Sequence, residues 1–496
     1  MMSGTYRTQR ARCGLVGGLV VIAGVVAARF REAEAAPEPA LPTRSQAESV
    51  SPVVALHRFV GAGSCAAAAC HGGAIGKNPQ GSEYTIWIQA DPHARAYTTL
   101  FNRQSQTIAR NLGLDKAHTA AVCLKCHSLA GSPAETASGR TSVLADGVSC
   151  EACHGAAEHW LEPHKRYNLT ADKQQIDWRH FTSEQKSAQG YHDTKSIATR
   201  AQACLKCHVG EAGRDVDHDL IAAGHPRLYF ELSTYVNLLP AHWDRAADRK
   251  RHPDLEASQW MVGQFAAAEA SLGLLHWRAT TKVPKLWPEF AEYGCFGCHH
   301  NLGKDGRSAA TVSPGKLGRY QWNSWNSALV RELVSSRVSD AEAKSLAKDL
   351  AELAAVLEHS RPDADKAAKL SSQLQVRFHN WAVDAERVRF TSPDLRALMA
   401  GLLSSTDSHH GVRDWEASTQ LYLALQALVK ADQSVAGDRI EPQVVFLLNE
   451  LPKIYDLLKF PAAEGKLSYS SPTEFDVKKR QSLAEEFRRL QEQFRH

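Results

Sequence analysis

Five cysteine pairs, each followed at once by a histidine, are the residues of this 496-residue chain most able to do chemistry. Four have the spacing C-x-x-C-H: Cys123-Leu-Lys-Cys126-His127, Cys150-Glu-Ala-Cys153-His154, Cys204-Leu-Lys-Cys207-His208 and Cys295-Phe-Gly-Cys298-His299. The fifth, Cys65-Ala-Ala-Ala-Ala-Cys70-His71, carries two more residues between its cysteines. Two thiols two residues apart reach the two vinyl groups on one porphyrin edge, and the next residue offers its imidazole to the iron. Zinc uses C-x-x-C pairs, and local disulfides close similar loops, but neither needs a histidine after every second cysteine. The long first motif has a disulfide as its alternative reading. It reads as an attachment site because its histidine repeats and because Cys65 and Cys70 are the last pair unassigned. The expected cofactor is therefore five covalent haem c, with His71, His127, His154, His208 and His299 as proximal ligands.

An iron that only carries electrons needs a second axial ligand. Methionine is nearly excluded, since Met261 is the only one in the motif region, whereas 18 of the 23 histidines lie between His57 and His300. Bis-histidine ligation is the expectation, and it gives lower potentials than Met/His. The distal candidates are His93 in "DPHARAYTTL", His118, His164 in "WLEPH", His218 and His225 in "DHDLIAAGHPRLYFEL", and His242 in "LPAHW". On one helix His218 and His225 would share a face about 10 Å apart, serving two different irons, with Gly224 and Pro226 ending the helix.

At these residues the chain resembles the c-554-type (cytochrome c-552/4) multihaem cytochromes. The resemblance rests on "DPHARAYTTL", "CLKCH" and above all "DGVSCEACHGAAEHWLEPH", and covers about Gly61 to His208. It implies His164 as distal ligand at Cys65/Cys70, His93 at Cys204/Cys207, and His218 or His225 at Cys150/Cys153. It also implies a five-coordinate second haem at Cys123/Cys126. The chain departs from the family in its long first motif and in the added Cys295/Cys298 site. Its extra histidines His118, His225 and His242 are available to fill positions the family leaves open.

The elements that must hold these residues are expected to be mainly α, with little regular sheet. Residues 1–35 read as an export signal: Arg7, Arg10 and Arg12, the apolar run Gly14 to Ala28, then Ala33-Glu34-Ala35. An uncleaved membrane anchor is the alternative reading, although fifteen apolar residues are short for a span. Residues 36–60 read as a linker, 61–302 as a pentahaem cytochrome domain, 303–318 as a second linker and 319–496 as a helical bundle. In the last part Ser339 and Glu342 give a capping signal, and Leu346, Leu350, Leu353 and Leu357 form one apolar face. Leu370, Leu374, Phe378 and Trp381 form another, and Ser392-Pro393 opens a further helix. His409-His410 reads as a solvated loop rather than a metal site.

The net charge of +4 and the lack of a basic run argue against nucleic acid. The expected protein is periplasmic or exported, meets redox partner proteins, and touches a membrane only if its N-terminus is retained. An electron carrier is the first functional expectation. A redox enzyme acting on a small nitrogen or sulfur compound at one open haem is the second, and a docking scaffold the third. No lysine follows a second cysteine, so the C-x-x-C-K attachment of ammonia-forming nitrite reductases is absent.

Overall fold

The computed structural model describes residues 57–76, 79–129, 141–165, 178–281, 287–295, 320–404, 414–459 and 477–494. The expected export signal, the linker at 303–318, Cys298, His299 and His409-His410 lie outside the described residues, as do all but the last four residues of the linker at 36–60. Residues 52–496 cluster as one compact unit. It is mainly α, and among the described residues the only β-type pairings are two isolated bridges, Glu211 with Arg214 and Tyr293 with Trp322.

The half that carries the motifs is built from short helices and turns. They include α1 (Glu83–Ala90), α2 (Arg103–Asn111), α3 (Ala121–His127), α4 (Cys150–His154), α5 (Leu161–Lys165), α6 (Ile197–His208), α7 (His218–Ala222) and α8 (Leu232–Leu238). Through residue 192, apolar burial is confined to small clusters such as Ala157, Trp160 and Trp178, or Ala62, Trp87 and Ala94.

The longest helix, α9 (Leu255–Thr280), is buried on nearly every face, as expected of a helix at the centre of a bundle. It lies along α11 (Ala364–Ala385) and also contacts α6, α8 and α13 (Trp415–Ala436). Gly263 permits this packing, because a Cβ there would sit 2.6 Å from the Leu232 Cβ of α8. Beyond these, α10 (Asp340–Leu357) packs on α11, α12 (Ser392–Ser404) and α14 (Pro442–Leu458) pack on α13, and α15 (Val477–Phe494) packs on α12 and α14. One apolar core runs from Ile197 and Leu205 of α6, through Trp260 and Phe265 of α9, to Phe487 and Leu490 of α15. The C-terminal helices therefore share their core with the helix that bears the fourth motif.

The local capping explains where these helices start. Ser339 Oγ accepts from the Glu342 amide, and the apolar positions Leu346, Leu350, Leu353 and Leu357 are buried. Leu370, Leu374 and Phe378 are buried on α11, with Trp381 packed at the edge of the core. At α12 the cap is Thr391 rather than Ser392: its hydroxyl accepts from the Asp394 amide while Asp394 accepts from the Thr391 amide. Such a reciprocal pair satisfies two otherwise orphaned donors.

Candidate haem-binding site

The second, third and fourth motifs each end or form a helix, which puts the histidine on its last turn. His127 closes α3, His154 closes α4 and His208 closes α6. The N-terminus of α6 is held by Ser196 and by Glu386 from the end of α11, whose carboxylate accepts from the Ile197 amide at 2.7 Å. A carboxylate at a helix start suits both the free amides and the dipole. The four alanines of the first motif form a tight turn, with Cys70 N donating to Ala67 O at 2.8 Å. Glu151, inside the third motif, accepts from the amides of Val60, Gly61 and Ala157, so it ties this motif to the segment leading into the first.

Four of the motif histidines face a second histidine. The ring centres are 5.9 Å apart for His71 and His164, 6.4 Å for His127 and His225, 6.5 Å for His154 and His242, and 6.2 Å for His93 and His208. Two imidazoles bound at about 2 Å on opposite faces of one metal put their ring centres about 6 Å apart. The first pair is nearly parallel, at 8°, while the others cross at 86°, 75° and 85°. All eight rings and the eight cysteines of these motifs line one continuous cavity of about 2520 Å³. Protein interiors pack as densely as organic crystals and do not keep voids of that size empty. Residues and space together fit four haem groups.

The cysteines are available for attachment, since the nine described ones are free thiols. Among the described residues no three His, Cys, Asp or Glu side chains gather as a zinc site requires. Thiols of different motifs lie close enough to shift each other's ionisation, Cys65 with Cys150 and Cys126 with Cys207. Cys204 lies close enough to Cys153 to feel its charge, and helix α4 contacts α6. The motifs are therefore neighbours in the order first, third, fourth, second.

Burial keeps most of these imidazoles in the neutral form that binds a metal. It pushes His154 and His208 down to about 4 and lowers His164, His225 and His242. Two behave oppositely. A hydrogen bond to Glu83 raises His71, and one to Asp91 raises His93. Burial alone would raise the Asp91 carboxyl, but the His93 hydrogen bond and charge hold it below its ordinary value.

The pairing revises three expectations. His242, rather than His218 or His225, stands opposite His154 of the third motif. His225 stands opposite His127, so the second site has a histidine on each side. The helix expected to carry both His218 and His225 stops at Ala222. There Gly224, at φ 114°, turns the chain, and the His225 amide reaches back to Leu220 O at 2.9 Å. That turn sends His225 towards His127 instead of along the helix. His118 does not meet a motif histidine among the described residues; it stacks on Phe101 at 4.1 Å.

Of the last motif only Cys295 is described. Arg227 holds it, donating to Cys295 Sγ at 3.2 Å and to the carbonyls of Tyr293 and Ala291. His218 starts α7 on this side of the molecule, with its amide on Glu289 and its ring 5.8 Å from Phe290. Buried Arg278 of α9 bridges Asp215 and Glu292, each at 2.6 Å, and so joins the segments on which His218 and Cys295 sit. Arg227, Arg278, Glu83 and Asp91 were not singled out by motif reading. Only Asp91 had a local signal, an Asp-Pro-His run.

Residues 65–155 match the family model described as "Cytochrome c554 and c-prime". The match opens on Cys65 and closes on Gly155, so it takes in the long first motif along with the second and third. No curated protein and no solved structure matches the chain.

Proposed function

We propose that this chain is an exported c-type cytochrome that carries electrons through five covalently attached haems. The observation that carries the reading is the set of four facing histidine pairs around one cavity. Haem c bound there supplies an iron that alternates between ferric and ferrous states. The protein's part is to fix each ring on both faces, exclude water, and set the motifs side by side in the order first, third, fourth, second. In this reading His71, His127, His154 and His208 are proximal ligands, and His164, His225, His242 and His93 are their distal partners. The fifth group attaches at Cys295 and Cys298, with His299 as its proximal candidate and His218 as a distal candidate.

A catalytic reading has only the fifth motif left for an open coordination position, because the other four have a histidine on each side. The charge of the loaded protein also favours a carrier that docks weakly. Each bis-histidine ferric haem adds about −1, which turns a chain near neutral after loss of its leader mildly acidic. Export is carried by the N-terminal sequence pattern. No helix among the described residues is long and apolar enough to cross a membrane.

The test is a haem count with low-temperature EPR of the ferric protein, with and without cyanide or nitric oxide. Five haems, all low-spin and indifferent to added ligand, are expected. A high-spin signal that shifts with cyanide overturns the pure carrier, and a count of four overturns the assignment at Cys65/Cys70.

A further inference from the structure

The paired histidines differ in what their Nδ1 atoms meet. At the first pair, His71 Nδ1 lies 2.9 Å from the Glu83 carboxylate, while His164 Nδ1 is buried without a hydrogen bond. At the fourth, His93 Nδ1 lies 2.9 Å from Asp91, whose carboxylate is almost wholly buried and also accepts the His93 amide. At the second pair both partners are carbonyls, Ala96 O for His127 at 3.0 Å and Pro226 O for His225 at 2.8 Å. At the third pair, the Nδ1 atoms of His154 and His242 are both buried without a hydrogen bond. The Pro240 carbonyl beside His242 falls outside hydrogen-bond geometry.

From this pattern we infer that Glu83 and Asp91 are potential-setting residues, which hold the first and fourth sites at lower reduction potentials than the third. A carboxylate that shares the Nδ1 proton gives the ring imidazolate character and makes it a stronger donor to the metal. It also places a negative charge beside the site, and both effects favour the ferric state. A carbonyl shares the proton less. A buried ring with no partner is the weakest donor of the three kinds. The third motif lies between the first, through the closeness of Cys65 and Cys150, and the fourth, through Cys153 and Cys204. An electron arriving from either neighbour therefore runs downhill into the middle of the row. Glu83 and Asp91 touch no iron; they act through His71 and His93.

The inference rests on the reading of the pairs as axial ligands, and the two can fail separately. The experiment is an EPR-monitored redox titration of the holoprotein, compared with Glu83→Gln and Asp91→Asn. Both variants keep an oxygen for the Nδ1–H and remove the charge. Expected results are that the third site is reduced before the first and fourth, that Glu83→Gln raises only the first potential, and that Asp91→Asn raises only the fourth. Asp91→Glu, which restores the charge, is expected to bring the fourth potential back down. Unmoved potentials with all low-spin signals intact, or a uniform shift of every site, overturn this inference and leave the pairing standing. Loss of the low-spin signals already in the unmodified protein overturns both. If Asp91→Asn fails to fold, Glu83→Gln decides alone.

Discussion

The angle between two facing imidazoles is a residue-scale property with a spectroscopic consequence. Parallel rings split the metal orbitals and give a rhombic low-spin spectrum, whereas crossed rings leave the orbitals nearly degenerate and give one very large g value. Only His71 and His164 are nearly parallel, at 8°. The ferric protein is expected to show one rhombic signal and at least three of the large-g type. His164→Ala is expected to remove the rhombic signal and leave the others. Acid sensitivity belongs to the same scale. His154 and His208 have folded values of about 4 against an ordinary 6.5, so the folded chain binds fewer protons than the unfolded chain between those values. Their contribution to stability is full above about pH 6.5 and lost as the pH falls towards 4. His71 and His93, whose values are raised, have the opposite sign, but His164, His225 and His242 side with the majority. Thermal midpoints of the haem-free chain are expected to drop over that acid range, since an imidazole held by iron does not titrate there. The cysteines and proximal histidines were legible in the sequence because attachment chemistry fixes their spacing. Their partners were less so, since His242 reaches His154 across 88 positions of chain and no local pattern encodes that meeting.

At the scale of elements, the turn after α7 decides which site His225 serves. Gly224 adopts φ 114°, a region that costs an L-residue about 1–3 kcal/mol. Gly224→Ala is expected to lower stability by about that amount and to convert the second site to high spin, as His225 is drawn away from His127. Differential scanning calorimetry and the visible spectrum of the variant check the two halves of the expectation. The helices α10, α11 and α12 could be read from their apolar faces and caps, because each buries one side and wets the other. Helix α9 could not. Trp260, Gln264, Phe265 and Ser258 are all buried although they point in different directions, so its sequence has no face to detect. The same all-round burial makes it the helix on which both halves of the molecule pack.

For the whole molecule, the question is what replaces an apolar core where there is none. From Ile197 onward a continuous core holds the helices together, while residues 57–192 have only small clusters beside the cavity. Removal of the haem groups is therefore expected to unfold the N-terminal part selectively. Hydrogen exchange on haem-free protein is expected to show fast exchange through α1 to α5 and retained protection in α9, α11 and α13. Uniform protection across the chain would contradict a fold whose first half is built around its cofactors. That the motif half is poor in long helices was legible from its glycines and histidines. The sharing of one core between α6 and the C-terminal helices was not, because it depends on which faces meet and not on which elements form.

Cys65 and Cys150 belong to different motifs, yet the fold brings them close enough for each to shift the other's ionisation. Outside the cytoplasm an oxidant couples such a pair readily. One stray disulfide there blocks an attachment point in two motifs at once, and Cys126 with Cys207 presents the same hazard. With export and attachment as proposed, a disulfide between motifs would compete with attachment, and a reductant present during maturation would favour attachment. Material matured without a reductant is expected to yield cross-linked Cys65–Cys150 peptides by mass spectrometry, in molecules short of two haems rather than one.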